Sequence, residues 1–276
     1  MKRFALRRPL IFSMLLALVL LGLTFVSRLP FPERFVGDAG DLSPEDVRQP
    51  TELERAISSI NNAETLYLVL VIVLAAVVIS ALGWWQEVGF NRPAPSRNLL
   101  LLWFPIVVIA LTLSGGARIP GPFFLGAILI AVALESLGTE ALFRGVLWRA
   151  LAPTGLFLAV IVTSLLSGGL TLITNLSSGP WPEAIYLTLT ATCGGFTYAA
   201  IRWRTTSLWP AIAIHFALAL SIDIAVVRAS VFPYLLFATT FGFIAYGLFL
   251  LRNPRVREDG GMSVREPARV RAKETP

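Results

Sequence analysis

Cysteine and histidine are almost absent from this chain: among 276 residues there is one of each, Cys193 and His215. A single cysteine cannot form a disulfide within the chain, and inside an apolar run it behaves as a small hydrophobic residue. Hydrolytic zinc sites draw three protein ligands, most often including two or more histidines, so a two-histidine zinc peptidase is excluded. No motif indicates a carboxylate-rich site for another metal, and we expect neither a metal nor a cofactor.

Charged residues are also scarce, at 14% of the chain, whereas 55% of the residues are hydrophobic. The hydrophobic residues fall in long runs, which excludes an ordinary soluble domain and indicates a polytopic membrane protein. The runs predict an all-α bundle of about eight transmembrane helices in contact with the lipid bilayer. A net charge of +6 would suggest a nucleic-acid partner for a soluble chain. Here the positions of the basic residues explain the charge better, and we expect no nucleic acid.

The apolar runs divide the chain into successive stretches. Residues 1–26 are predicted to form a first transmembrane helix, 27–64 an extracytoplasmic loop, and 65–122 the second and third helices. Residues 123–251 are predicted to form a core of helices four to eight, followed by a basic, disordered cytoplasmic tail over 252–276. A basic head before an apolar run is also typical of a cleaved signal peptide, but this run is long and lacks a small-x-small cleavage site. We therefore expect an uncleaved signal anchor.

The basic residues are distributed unevenly between the two sides of the predicted bundle. If the N-terminus lies inside, 17 of the 23 lysines and arginines fall in inside segments and only 6 fall outside. Positive charge is enriched in cytoplasmic loops, so this count favours a multi-pass protein of the plasma membrane with both termini in the cytoplasm.

The predicted fourth helix carries ionisable residues inside an apolar run, AVALESLGTEALFRGVLWRAL at 131–151. Glu135, Glu140 and Arg144 are expensive to place in a bilayer, so they are functional-site candidates by default. The spacing of Glu140 and Arg144, with the acid nearer the helix N-terminus, is also that of a favourable structural ion pair. Both interpretations remain open at this point.

Three motifs in the predicted core resemble those of the CAAX-processing and bacteriocin-processing protease family. The sequence TEALFRG at 139–145 is similar to its Glu-Glu-x-x-x-Arg signature, and TSLLSGGLTL at 163–172 stands where the family carries Phe-x-x-x-His. The sequence SLWPAIAIH at 207–215 is similar to the lead-in to its His-x-x-x-Asn motif. The resemblance covers about residues 123–227 and implies an intramembrane endopeptidase acting on membrane-associated peptides or proteins.

Only Glu140, Arg144 and His215 match the residues that the resemblance implies for the site. The first glutamate, which activates water in the family, is Thr139, and the final asparagine is Ala219. The phenylalanine and histidine of the second motif are Ser167 and Thr171. A threonine hydroxyl is not basic near neutral pH, and losing a single oxyanion donor costs about 10²–10³ in rate. We therefore expect a protease of the family type to be impaired or inactive here.

Other polar residues stand one helical turn from the replaced positions. Glu135 precedes Thr139 by one turn, Asn175 follows Thr171, and Asp223 follows Ala219. One hypothesis is therefore a hydrolytic site displaced by one turn, with Glu135 as the base and Asn175 and Asp223 as its partners. The other is a non-catalytic relative that binds a membrane-associated segment or partner around Glu140, Arg144 and His215. A transporter is less favoured because the sequence has no apparent inverted repeat.

Overall fold

The computed structural model describes residues 2–27, 63–92, 100–119, 121–176 and 180–252. Within these ranges the chain is helical and has no strand, apart from one isolated bridge between Ala117 and Ala225. The predicted all-α membrane bundle is confirmed. Residues 28–62 of the predicted first loop and 253–276 of the predicted tail lie outside the described residues, so their predicted states stay predictions.

The described part of the chain forms a series of helices. The α-helices are α1 (Lys2–Arg7), α2 (Pro9–Val26), α3 (Ala63–Leu82), α4 (Trp85–Val88), α5 (Trp103–Thr112), α6 (Pro122–Glu140), α7 (Trp148–Leu151), α8 (Leu156–Leu176), α9 (Trp181–Thr205), α10 (Trp209–Ile224), α11 (Phe232–Phe237) and α12 (Phe243–Arg252). Two π-helical segments, Ala141–Leu147 and Ala238–Gly242, join α6 to α7 and α11 to α12. Helix α6, the first π-helical segment and α7 are therefore one long helical rod.

The described part of the chain contains six helical stretches that are long and apolar enough to cross a membrane, judged by length and composition. These are Pro9–Val26, Thr65–Leu82, Pro122–Thr154, Leu156–Leu176, Trp181–Thr205 and Phe232–Arg252. Two shorter apolar helical stretches, Leu100–Gly115 and Trp209–Ile224, stand where the third and seventh spans were expected. Six long and two short apolar helices thus account for the predicted set of about eight.

Proline and glycine set several of the helix boundaries. Pro9 and Pro122 occupy the first turns of α2 and α6, where a missing backbone N–H costs nothing. The long rod ends in the 3₁₀ turn Ala152–Thr154, and Gly155 follows with a φ of 124°, a conformation that favours glycine. The sequence Ala152-Pro153 thus directly follows Leu151, the last α-helical residue of the rod.

The long rod lies among the other helices. Helices α3 and α10 pack against α6, while α9 packs along both α8 and α12. A buried apolar cluster surrounds the π-helical segment and includes Leu16 of α2, Ile79 of α3 and Leu142 of the rod. Large apolar side chains such as Leu165 and Phe241 lie exposed on the outer faces, as expected where helices meet lipid.

Helix α10 ends at Ile224, three residues before Val227, where the sequence predicted the end of the seventh span. After Ile224 the chain becomes extended, and the N–H of Val226 donates to the carbonyl of Gly116 at 2.9 Å. The N–H of Arg118 donates to the carbonyl of Ile224 at 2.7 Å. These bonds satisfy backbone groups that a longer helix would have satisfied internally. They also fix the end of α10, which carries Asp223, against the segment that precedes α6.

Candidate functional site

Glu140 and Arg144 form a buried ion pair at the junction between α6 and the π-helical segment. Nη1 of Arg144 lies 3.2 Å from Oε1 of Glu140, and the side chains of Glu140 and Arg144 are 0% and 1% exposed. The same nitrogen donates to Oγ of Ser167 on α8 at 3.4 Å. π-helical turns inside α-helices are frequent at functional sites, and this one lies within the motif that resembles the family signature.

His215 on α10 joins this pair from across the bundle. Its Nδ1 lies 2.9 Å from Oε1 of Glu140, so the carboxylate accepts bonds from both the guanidinium and the imidazole. Because the carboxylate can only accept, Nδ1 carries the proton in this bond. The imidazole stacks on the ring of Tyr198 of α9, with centroids 5.4 Å apart and planes inclined by 21°. The cluster thus draws its side chains from α6, the π-helical segment, α8, α9 and α10.

Close packing leaves the guanidinium little freedom. A Cβ atom at Gly195 would lie 2.1 Å from Nη2 of Arg144, so glycine leaves the room that the side chain fills. The guanidinium carbon also lies 5.8 Å from the ring centroid of Tyr198, a cation–π contact. Tyr198 was not singled out from the sequence, because the pattern along one helix does not reveal which neighbour faces it.

A cavity of about 680 Å³ lies next to this cluster. The positions at which the family motifs are not matched all contribute to its wall: Thr139, Ser167, Thr171 and Ala219. Arg144 and His215 also line the cavity, and the His215 side chain is 16% exposed. Glu140 is not among the lining residues. The retained carboxylate therefore lies behind the wall, and the residues that replace the family's catalytic groups form part of the wall.

The residues of the displaced-site hypothesis line the same cavity. Glu135, Asn175 and Asp223 all contribute to its wall, and Asn175 Nδ2 donates to the carbonyl of Thr171 at 2.8 Å. Glu135 and Asp223 are exposed, and both interact with neighbouring residues. Glu183, in the first turn of α9, is a further lining carboxylate that sequence reasoning missed. Glu183 lies two residues after the first residue of α9, a position that gave no signal beyond that of an ordinary helix end.

The arrangement limits what the retained residues can do chemically. A general base must reach the proton that it removes, directly or through one water. Glu140 is fully buried, and its Oε1 is shared by Arg144 and His215. Its Oε2 has no hydrogen-bond partner among the described residues, and it is likewise shielded from the cavity. Glu140 is therefore placed to orient His215 and to neutralise Arg144.

The described residues include no candidate metal site. No cluster of three or more histidine, cysteine, aspartate or glutamate side chains there could hold a metal ion. Cys193 is buried and lies in the apolar cluster formed by α5, α9, α10 and their neighbours.

Part of the chain matches a known protein family. Residues 120–221 match the family described as Type II CAAX prenyl endopeptidase Rce1-like. No curated protein and no solved structure matches the chain significantly. The matched residues run from the start of α6 into α10 and include Glu140, Arg144 and His215 together with most of the cavity wall. Residues 120–221, which contain the retained ion pair and His215, are therefore similar to this CAAX endopeptidase family.

Proposed function

We propose that this CAAX protease-like membrane protein is a non-catalytic relative that binds a membrane-associated peptide or protein segment in the cavity. The proposal rests on one observation above all. The cavity persists, but at the positions of the family's base, second-motif histidine and final asparagine its wall carries Thr139, Thr171 and Ala219. These side chains cannot activate water or replace the missing oxyanion donors.

Burial of the Glu140 carboxylate supports the proposal that the protein does not catalyse peptide hydrolysis. Glu140 sits behind the wall in contact with Arg144 and His215, so it does not substitute for the base missing at Thr139. Loss of a general base typically costs about 10²–10⁴ in rate and loss of one oxyanion donor about 10²–10³, so either replacement is sufficient to suppress hydrolysis. A buried pair of this kind also stabilises one arrangement of the helices, which suits a binding site.

The size and lining of the cavity support binding. Ligand pockets are typically about 300–1,000 Å³ and combine an apolar wall with a few polar groups. The cavity of about 680 Å³ lies within that range. Leucines at 68, 170, 187 and 218 contribute apolar surface, while threonines at 139, 171, 174 and 190 contribute hydroxyls. A peptide segment offers both the apolar side chains and the backbone groups that such a wall accepts.

We place the protein in the plasma membrane with both termini in the cytoplasm. The bias of basic residues toward the same side as the N-terminus supports this orientation. Reporter fusions at the N-terminus and after Arg252 test it, using a reporter that is active only in the cytoplasm and one that is active only outside. Activity of the external reporter at either position would contradict the orientation.

Hydrolysis through a displaced site is the second candidate. One observation favours it: Glu135, Asn175 and Asp223, each one turn from a replaced position, line the same cavity as His215. In that case Glu135 would be the general base, and its carboxylate would have to act on water near Thr139 and Ala219. The helical turn that separates Glu135 from Thr139 corresponds to a displacement of about 6 Å from the family position.

A cleavage assay on purified full-length protein separates the two candidates. Membrane-associated peptide substrates are incubated with the parent chain and with Glu135→Gln, Glu140→Gln and His215→Gln, each checked for folding by size-exclusion elution. We expect no cleavage by the parent protein and retention of peptide by photo-crosslinking to the cavity wall. Cleavage by the parent that Glu135→Gln abolishes would establish the displaced site instead.

A further inference from the structure

The cavity lies toward one end of the helices that line it. On α8 the lining residues fall within 167–175, and on α9 they fall within 183–198. On α10 they fall within 215–223, the half of the helix that leads to Ile224. Helix α2 contributes only its end and α3 only positions near its start. All of these positions lie on the same side of the bundle, because successive spans run in opposite directions.

Contacts outside the cavity define the two ends of the bundle. Nζ of Lys2 lies 3.7 Å from the carboxylate of Glu87, and the N–H of Leu208 donates to the carbonyl of Gly89 at 2.8 Å. Helix α1, helix α4 and the start of α10 therefore share one end, which we name the N-terminal face. The end of α10, bound to the segment that precedes α6, lies at the opposite end, which we name the far face. The cavity extends from the interior of the bundle to the far face.

Exposure of the lining residues rises toward the far face. Arg144 and Tyr198, which lie farthest from it, are buried, whereas Glu183 and Asp223, which lie nearest, are exposed. The rise along α9 from Tyr198 to Glu183 is about 22 Å. Charged side chains of membrane helices face the protein interior or water, so the exposed carboxylates mark the side on which water enters. The cavity therefore has its floor at Arg144 and its mouth at the far face.

The helices that line the cavity form a closed ring. In the order α2, α3, α6, α10, α9 and α8, each helix packs against the next, and α8 packs against α2. A helix embedded in the surrounding lipid would have to separate two of these neighbours in order to enter. A chain that arrives from water at the far face meets no such barrier.

We infer that the cavity takes a water-exposed peptide segment, either a chain end or a loop, that enters from the far face. This rests on the proposed function and specifies its ligand. In the proposed orientation the far face lies outside the cytoplasm, so the partner is a peptide or protein segment on the external side of the membrane. Leu187 and Leu218 of the wall offer contacts to its apolar side chains.

A thiol inside the cavity tests the side of entry. With Cys193 replaced by alanine, Ala191→Cys introduces a thiol on the wall, about 15 Å along α9 from Trp181. A charged, membrane-impermeant methanethiosulfonate is added to sealed vesicles of either orientation. Glu87→Cys marks the N-terminal face, because Glu87 contacts Lys2 and is not among the described lining residues. We expect Ala191→Cys to react only in the vesicles in which Glu87→Cys does not, since the thiolate forms where water is present.

Leu189→Cys is the matched control on the same helix. Leu189 lies two residues from Ala191, is 41% exposed and is not among the described lining residues. Its thiol should meet lipid and react from neither side. Ala219→Cys, on the wall formed by α10, repeats the test from a second helix and should behave like Ala191→Cys.

Protection by peptide tests the form of the ligand. An apolar, water-soluble peptide supplied at the far face, at ten times its dissociation constant, should slow the labelling of Ala191→Cys about tenfold by mass action. The same sequence built into a single-span helix in the same vesicles should not protect the thiol.

Four results would overturn the inference and leave the proposed function intact. They are labelling of Ala191→Cys from the N-terminal face, no labelling at either 191 or 219, equal labelling of Leu189→Cys, and protection by the single-span helix alone. Protection by neither form of the peptide would overturn the proposed function as well.

Discussion

Nδ1 of His215 lies 2.9 Å from Oε1 of Glu140, although 75 residues separate them along the chain. The same carboxylate oxygen accepts a bond from Nη1 of Arg144 at 3.2 Å. One buried acid thus joins α10 to the long rod and, through the contact of Arg144 with Ser167, to α8 as well. Of the three retained motif residues, Glu140 lies behind the cavity wall, whereas Arg144 and His215 line the cavity together with the replaced positions.

Glu140→Gln should destabilise the protein strongly. The substitution leaves the guanidinium of Arg144 buried without a counter-charge, and breaking one partner of a buried pair typically costs about 3–5 kcal/mol. A drop in the thermal unfolding midpoint of the purified protein, measured by intrinsic fluorescence in detergent, checks this. The double variant Glu140→Gln with Arg144→Met removes both charges and should recover part of the loss.

The same measurement on Glu87→Gln supplies the control. That side chain is partly exposed, and its contact with Lys2 is an exposed ion pair of the kind worth about 1 kcal/mol or less. If Glu140→Gln and Glu87→Gln lowered the unfolding midpoint equally, the buried pair would not have the structural role assigned to it.

Two adjacent glycines in α8 should respond differently to alanine. A Cβ atom at Gly168 would lie 1.8 Å from Oγ1 of Thr192 and 3.2 Å from the carbonyl oxygen of Thr188. A Cβ atom at Gly169 would meet nothing within 4 Å. Gly168→Ala should therefore force α8 and α9 apart, at a cost of about 1–3 kcal/mol for overpacking.

Gly169→Ala is the control and should be neutral or stabilising by up to about 1 kcal/mol, since alanine favours helix. The comparison is made by denaturant unfolding of the two variants beside the parent. Equal destabilisation by both substitutions would mean that the close approach of α8 to α9 is not set at Gly168.

Cysteine labelling should reveal water in the cavity. The native Cys193 is 6% exposed and is first replaced by alanine. Ala219→Cys then places a thiol on the cavity wall, and Phe241→Cys places one on an outer face, where Phe241 is 66% exposed. A water-soluble methanethiosulfonate reacts with the thiolate, which forms only where water is present. We expect labelling at position 219 and none at position 241, because the second thiol meets lipid.

Labelling at neither position would mean that the cavity is dry in the membrane, and the proposed binding site would then lose its access to solvent. Labelling at both would mean that the outer face around Phe241 does not lie in the hydrocarbon region. The extent of labelling is measured by mass spectrometry of the intact protein. Labelling of the detergent-unfolded protein gives the value for a fully reactive thiol.

The sequence predicted the helices and the retained ion pair because both follow from short-range patterns. Long apolar runs and the flanking prolines and glycines define most spans, and the spacing of Glu140 and Arg144 alone brings the two charges together. His215 entered the prediction through its resemblance to a motif. Its actual partner, Oε1 of Glu140, depends on how α10 packs against α6.

Features that depend on the packing of separate helices could not be predicted in this way. The stacking of Tyr198 on His215, the room at Gly195 for Arg144 and the convergence of Glu183 on the cavity all need the relative rotation of two helices. The π-helical segment Ala141–Leu147 could not be predicted from the sequence for another reason. Every residue of that segment is buried, so it has no polar face whose period could distinguish an α-helix from a π-helix.

Restoring the family residues should restore peptide hydrolysis if only the catalytic side chains have been lost and the backbone around the cavity has kept its geometry. Thr139→Glu, Thr171→His and Ala219→Asn place the missing groups on a wall that already contains His215 and Arg144. We expect the triple variant to cleave a membrane-associated peptide that the parent only binds. Each single variant should remain inactive, because a base without oxyanion donors, or donors without a base, leaves the barrier largely in place.

The triple variant carrying His215→Gln is the matched control and should lose the restored activity, because the imidazole held by Glu140 would then be missing. Folding of each variant is checked by its unfolding midpoint. An inactive triple variant with the midpoint of the parent would show that the backbone around the cavity no longer has the geometry for hydrolysis. Activity in the parent chain would show instead that the residues now present are sufficient, and the non-catalytic proposal would fail.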